Sequence, residues 1–96
     1  MKIVFSRLAL AELDDILTYI AERSPLGAQH VERRIRRALE HIAHHPEAAE
    51  EVMQRPGIRR LPLGRYPYVI YYERHQTEVT ILRILHGARR QTSEWE

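Results

Sequence analysis

The apolar positions of this chain change period along its length, and the changes mark its elements. Lys2 to Phe5 (KIVF) is a short β-prone segment. Ser6 then stands where a hydroxyl can accept a hydrogen bond from a free N–H in a first helical turn. Ala9, Leu13, Ile16, Leu17, Ile20 and Ala21 recur at helical spacing, while Glu12, Asp14, Asp15 and Glu22 avoid that stripe. The pattern predicts an amphipathic helix of about four to five turns. Ser24 and Pro25 end it and begin another, Ser24 as cap and Pro25 at a first position where a missing N–H costs nothing. Ala28, Val31, Ile35, Ala38, Leu39 and Ile42 form the second stripe, and Pro46 stops it. A junction this short between two one-sided helices implies an antiparallel helical hairpin.

From Glu47 to Gly57 (EAAEEVMQRPG) the periodicity lapses into a connector, with no helical turn or strand assigned to it. Three strands follow: Ile58 to Leu63, Tyr66 to Arg74 and Glu78 to His86. Gly64-Arg65 turns the chain between the first two, and His75-Gln76-Thr77 joins the last two. Pro62 suits an edge or a bulge, because it has no N–H for a ladder. Strict alternation places Tyr68, Ile70 and Tyr72 on one face with Val69 and Tyr71 on the other. On the last strand it places Val79, Ile81 and Leu85 on one face and Leu82 and Ile84 on the other. Both faces are thus apolar, and one helical hairpin covers one face only. Either a protein partner buries the second face, or a few apolar residues stay exposed. The architecture is α+β: an N-terminal strand and a two-helix hairpin packed on a small, largely antiparallel C-terminal sheet.

Ninety-six residues suit a single domain spanning 1–96, and an apolar share of 44% with a charged share of 29% is ordinary for a water-soluble fold. No apolar run approaches membrane-spanning length, and the absence of cysteine excludes disulfides and thiolate chemistry. A cytoplasmic address is expected, with no membrane association. Net charge is +2, unevenly spread. Positions 1–54 hold seven Lys or Arg against nine Asp or Glu, whereas positions 55–90 hold eight Arg against Glu73 and Glu78. Positive charge is therefore expected on the strand-rich half, where it suits phosphates or an acidic protein. Lys2 is the one lysine. Arginine grips carboxylates and phosphates with two-point geometry but is a poor proton carrier near neutral pH.

Candidate chemistry is sparse. His41 and His45 have i,i+4 spacing suited to two metal ligands on one helix face, but no third ligand completes a pattern, so no metal and no cofactor are expected. There is no phosphate-cradling glycine loop and no serine with a clear base. The stretch ILRILHGARR (81–90) stands apart, because an apolar strand ends on a histidine followed by two arginines. His86 there can serve as a proton-transfer group, with arginines stabilising charge on a phosphate oxygen. The plainer reading is a strand end with solvated flanks.

Four segments in order carry a resemblance: LAELDDILTYIAE on the first helix, ALEHIAHHPE at the end of the second, GIRRLPLGRYPYVIYYE, and ILRILHGARR. Together they resemble the RelE/ParE superfamily of type II toxin–antitoxin systems, in its ParE-like (plasmid-stabilisation) branch, over nearly the whole chain. The resemblance implies a toxin that inhibits DNA gyrase and is neutralised by a cognate ParD-like antitoxin. The antitoxin's C-terminal segment would lie across the toxin sheet, and an acidic, amphipathic segment would match the charge expected there. Because antitoxins of this family supply the DNA-binding domain, no direct DNA binding is expected from the toxin alone. The alternatives are a RelE-like ribosome-dependent mRNA endonuclease and a non-toxic protein-binding module. The enzyme reading is the weaker one, since a lysine-rich surface and a late tyrosine after His86 are both missing. If the chain is a ribonuclease, the resemblance points to His86, Arg65 and Arg89 as catalytic. Candidate target or antitoxin contacts are Arg59, Arg60, Arg65, Tyr68, Ile70, Tyr72, Arg83, His86, Arg89 and Arg90.

Overall fold

A computed structural model describes residues 1–87. Its elements run β1 (Lys2–Phe5), α1 (Arg7–Arg23), α2 (Pro25–His44), β2 (Glu50–Glu51), β3 (Ile58–Pro62), β4 (Tyr68–Arg74) and β5 (Glu78–His86). The strands form one sheet in the order β1-β5-β4-β3-β2, antiparallel except where β1 runs parallel to β5. A parallel pair needs a crossover, and the helical hairpin supplies it. No helix among the described residues is long and apolar enough to cross a membrane.

Capping fixes both helix starts. The Ser6 hydroxyl accepts from the Ala9 N–H at 3.0 Å, and the Ser24 hydroxyl accepts from the Gly27 N–H at 2.9 Å. Ser24 also closes α1, its own N–H donating to the Ile20 carbonyl at 2.7 Å. One residue therefore ends one helix and starts the next. The apolar stripes meet over the sheet, where Val31, Ile35, Ala38 and Ile42 join Ile70, Tyr72, Val79, Ile81 and Ile84 in the main core.

Strict alternation fails on β5. The ladder pairs Tyr72 with Ile81 but Tyr71 with Arg83, so Leu82 is an extra residue, a β-bulge. Beyond it the faces exchange. Ile84 joins the core under the helices, and Leu85 moves to the opposite face with Val69 and Tyr71. The expected partition of Leu85 with Val79 and Ile81, and of Ile84 away from them, is corrected accordingly.

The bulge is tied down by α1. The Ser6 hydroxyl donates to the Leu82 carbonyl at 2.9 Å. Glu12 Oε2 receives Arg83 Nε and Nη2 at 2.8 and 2.6 Å, while its Oε1 accepts the Ile84 N–H at 2.8 Å. Since β1 pairs only with positions 78–81, the edge of β5 beyond Ile81 is open to α1. Both side chains of this ion pair are largely buried, 12% exposed for Arg83 and 16% for Glu12.

Two further expectations change. The connector contains β2, whose Glu50 and Glu51 pair with Arg60 and Arg59. Arg59 donates to the carbonyls of Glu47 and Ala49 at 3.2 and 2.7 Å, which holds the connector against β3. Pro62 lies past the reach of β2, as a residue without an N–H requires. The second apolar face is also not bare. Val69, Tyr71 and Leu85 are buried within the chain, and Val52 of the connector packs with them.

Removing Glu12 strands a shielded guanidinium and an unpaired strand N–H. Glu12→Ala is expected to lower the unfolding free energy by about 3 kcal/mol, typical of breaking a buried pair. Adding Arg83→Met should restore part of that loss by removing the stranded cation. Urea denaturation of the three proteins checks both, and equal stability of the single variant and the natural chain would refute the clamp.

Candidate functional site

The end of β5 meets the start of β4 at one end of the sheet. Gly64, at φ +67, allows the turn that leaves β3. The Leu63 N–H then donates to the Tyr68 carbonyl at 3.0 Å, which closes the loop carrying Arg65. The Gly87 N–H donates to the Pro67 carbonyl at 2.5 Å. A side chain at position 87 would press on that carbonyl, since an added Cβ would sit 3.3 Å from it. Tyr68 and His86 face each other across the β4–β5 ladder, with ring centroids 5.7 Å apart and planes at 82°.

Alongside them runs α1. Glu12, Asp15, Ile16 and Tyr19 join Tyr68, Ile84, Leu85 and His86 around a groove of about 640 Å³. Because Leu82 is extra, His86 turns to the same side as Ile84 and so toward α1. The lining holds two carboxylates and, among the described residues, no lysine or arginine. Glu12 is spent on Arg83 and Ile84, whereas Asp15 is exposed and in no ion pair among the described residues. Tyr19 carries the Arg23 guanidinium over its ring at 3.7 Å. Burial, and then the nearby Tyr19 phenol, hold the Tyr68 hydroxyl above the ordinary phenol range. The lining among the described residues is therefore aromatic and acidic, suited to apolar and cationic side chains and ill suited to a phosphate.

The residues expected from the sequence separate into three groups. Tyr68 and His86 come together in the groove, with Arg65 on the adjoining turn, where its guanidinium lies 5.6 Å from the Tyr66 ring. A second group is engaged inside the fold. Ile70 and Tyr72 are fully buried beneath the helices, where the Tyr72 hydroxyl donates to the Pro46 carbonyl at 2.9 Å. They present nothing to a partner, which corrects their expected role as contacts. Arg83 is held by Glu12, and Arg59 by the connector carbonyls. Arg60 lies 3.5 Å from Glu50, a partly exposed pair of small energetic worth. Arg89 and Arg90 lie outside the described residues.

Among the described residues, the expected positive charge of the sheet is thus largely neutralised within the chain. Arg74 adds to this, pairing with Glu47 at 2.5 Å. Sequence reasoning missed Asp15, which it placed only off the apolar stripe of α1, and Tyr19, to which it gave no role, although their i,i+4 spacing sets both on one side of the helix. No three His, Asp or Glu side chains among the described residues gather to hold a metal. His41 and His45 stack on each other, with centroids 5.2 Å apart.

Residues 3–91 match the model of a family described as the ParE toxin of the type II toxin–antitoxin system parDE. The chain belongs to this ParE toxin family. Relatives agree. "Toxin RelE2" of Caulobacter vibrioides is 36% identical over 88 residues, covering 92% of this chain and 97% of that protein. "Putative toxin Y4kP" of Sinorhizobium fredii is 36% identical over 83 residues, covering 82% and 80%. Among solved structures, the "Chromosomal ParDE TA system from P. aeruginosa" superposes with a TM-score of 0.77 at 26% identity, covering 90% of this chain and 95% of that one. This ParE-family toxin thus shares its α+β arrangement with that structure.

Shielding of Tyr68 has a signed consequence at high pH. A phenol whose pKa is raised by folding contributes stability that is complete below the unfolded value of 10.0 and is lost as pH climbs through the folded value. The stability difference between the natural chain and Tyr68→Phe should therefore be flat up to about pH 9 and shift against the natural chain above pH 10. Denaturation midpoints measured from pH 8 to 11 check this, and parallel profiles throughout would show Tyr68 to be solvated like a free phenol.

Proposed function

We propose that this ParE-family toxin acts by inhibiting DNA gyrase in the cytoplasm and is neutralised by the antitoxin encoded beside it. The observation that supports this reading over RNA cleavage is the sign of the groove around His86. A ribonuclease stabilises a phosphate that gains charge in the transition state, and it does so with preorganised cations. Here the imidazole shares its groove with Glu12 and Asp15, while the sheet arginines Arg59, Arg60, Arg74 and Arg83 are committed to intramolecular acceptors. The described lining therefore repels the phosphate that a ribonuclease would have to cleave. The ParE family match over residues 3–91 favours the same conclusion.

The groove also refines the antitoxin's character. An acidic segment was the natural expectation from charge along the sequence. A segment seated between α1 and the Tyr68–His86 pair instead meets Asp15 and two phenol rings, so apolar and basic side chains fit it. One relative carries a RelE name, and ribosome-dependent cleavage is the second reading.

Expression of the chain without its antitoxin should arrest growth, and co-expression should restore it. Purified protein should inhibit supercoiling of relaxed plasmid by gyrase while leaving messenger RNA intact on translating ribosomes. Messenger RNA cut on the ribosome, with gyrase unaffected and cutting abolished by His86→Ala, would replace this reading with the ribonuclease. Normal growth on expression without the antitoxin, with neither target affected, would mark a non-toxic binding module.

A further inference from the structure

Among the described residues, the largest store of uncommitted positive charge is not on the sheet but along one flank of α2. Arg33, Arg34 and Arg37 have no ion-pair partner among the described residues, and Arg33 and Arg37 are exposed. At 100° per residue they share one stripe with His30, His41 and His44 that runs along one flank of the helix, about 120° round from the buried stripe of Val31, Ile35, Ala38 and Ile42, and Arg34, nearest the core, is half-buried. The neighbouring acids offset them only in part. Glu32 is taken by Arg36 at 2.6 Å, and Glu40, at the border of the stripe, is in no ion pair among the described residues. From position 30 to 44 the stripe extends for roughly 21 Å at about 1.5 Å per residue, its members about 5–6 Å apart where they are three or four residues removed.

We propose that this stripe is a binding surface for the phosphate backbone of duplex DNA. Three features select that occupant. Arginine forks match phosphate oxygens in two-point geometry, and imidazole N–H groups add donors. A straight row of donors borne on a rigid helix suits a regular row of phosphates. Between positions 30 and 44 the stripe also lacks the aromatic and aliphatic anchors that make the centre of a protein interface, exposed Leu26 lying one turn before it, which argues against an acidic protein as its occupant. Binding of this kind is sequence-independent and salt-sensitive, because each neutralised phosphate releases counterions. The expectation of no direct contact with DNA comes from the family resemblance, in which the antitoxin supplies the DNA-binding domain, and charge along the sequence draws attention to the C-terminal strands instead. There the structure spends it on Glu12, Glu47, Glu50 and backbone carbonyls.

The inference stands apart from gyrase inhibition, since the test contains DNA and the purified full chain alone. Fluorescence anisotropy with a labelled 20-base-pair duplex is followed from 50 to 200 mM salt. Three arginines predict a slope of log affinity against log salt of about −2.7. Arg33→Glu with Arg37→Glu should weaken binding at least tenfold at the lowest salt and bring the slope near zero. The control, Arg7→Glu with Arg23→Glu, changes net charge equally on α1 and should retain most of the affinity and slope. Circular dichroism melts establish that both variants fold. No binding by the natural chain at 50 mM salt overturns the proposal, as does equal loss in the two variants, which would reduce the effect to net charge. Tighter binding of single-stranded RNA or of polyglutamate than of the duplex overturns it as well.

Discussion

Everything at the business end of this molecule hangs on the grip of α1 on the bulged last strand. Glu12 satisfies the Arg83 guanidinium and the Ile84 N–H at once, and Ser6 takes the Leu82 carbonyl while capping the helix that carries Glu12. A single extra residue in β5 exchanges its two faces, so the side chains beyond it depend on that residue staying extra. With the bulge, Ile84 fills the core and His86 meets Tyr68 beside α1. Without it, Leu85 would enter the core and His86 would face away from the helices. Shielded ion pairs add little net stability compared with apolar packing, because desolvating two charges offsets most of their attraction. Their value here is register: one arrangement of β5 against α1 satisfies every member of the cluster, and a slipped arrangement strands several.

The arginines follow the same logic. Counted along the chain they make a basic C-terminal half; placed in space, most of the described ones become fasteners. Arg59 draws the connector onto β3 through two carbonyls, Arg74 reaches Glu47 from the far end of β4, and Arg83 locks the helix. Each partner is between ten and seventy-one residues away in sequence. Charge density along a sequence therefore says little about surface potential when the opposite charge arrives through the fold. The residue types were informative all the same, since arginine's planar fork holds two acceptors at once where a lysine holds a point.

The helices and the three long strands were legible because their signals are local. Ser6, Ser24 and Pro25 set helix ends, two apolar stripes at 3.6-residue spacing set helix faces, and YVIYYER and EVTILRILH could scarcely be anything but strands. What stayed hidden was non-local. The two-residue strand β2 has no pattern of its own, and its place comes from Arg59 and from pairing with β3. The bulge left no mark on β5, because Ile81-Leu82-Arg83-Ile84 alternates as well in either register. Alternation also could not say which of two apolar faces the helices cover. Ile70 and Tyr72 accordingly read as surface contacts when they are the floor of the core. Of the site, the sequence showed Tyr68 and His86 but not their neighbours Asp15 and Tyr19, which only the packing of α1 brings to them.

Opposite charges on neighbouring helices constrain what this toxin can hold. The groove below α1 presents Asp15 and two phenols, whereas the flanking stripe of α2 presents three arginines without ion-pair partners among the described residues. A uniformly acidic antitoxin segment would be attracted to α2 and repelled from the groove, and a uniformly basic one would do the reverse. A segment that crosses both must change sign along its length, with its apolar and basic part at Tyr68 and His86. If such a segment also covers α2, it competes with nucleic acid for the same arginines. Neutralisation and release from DNA would then be one event, driven by the same loss of free positive charge.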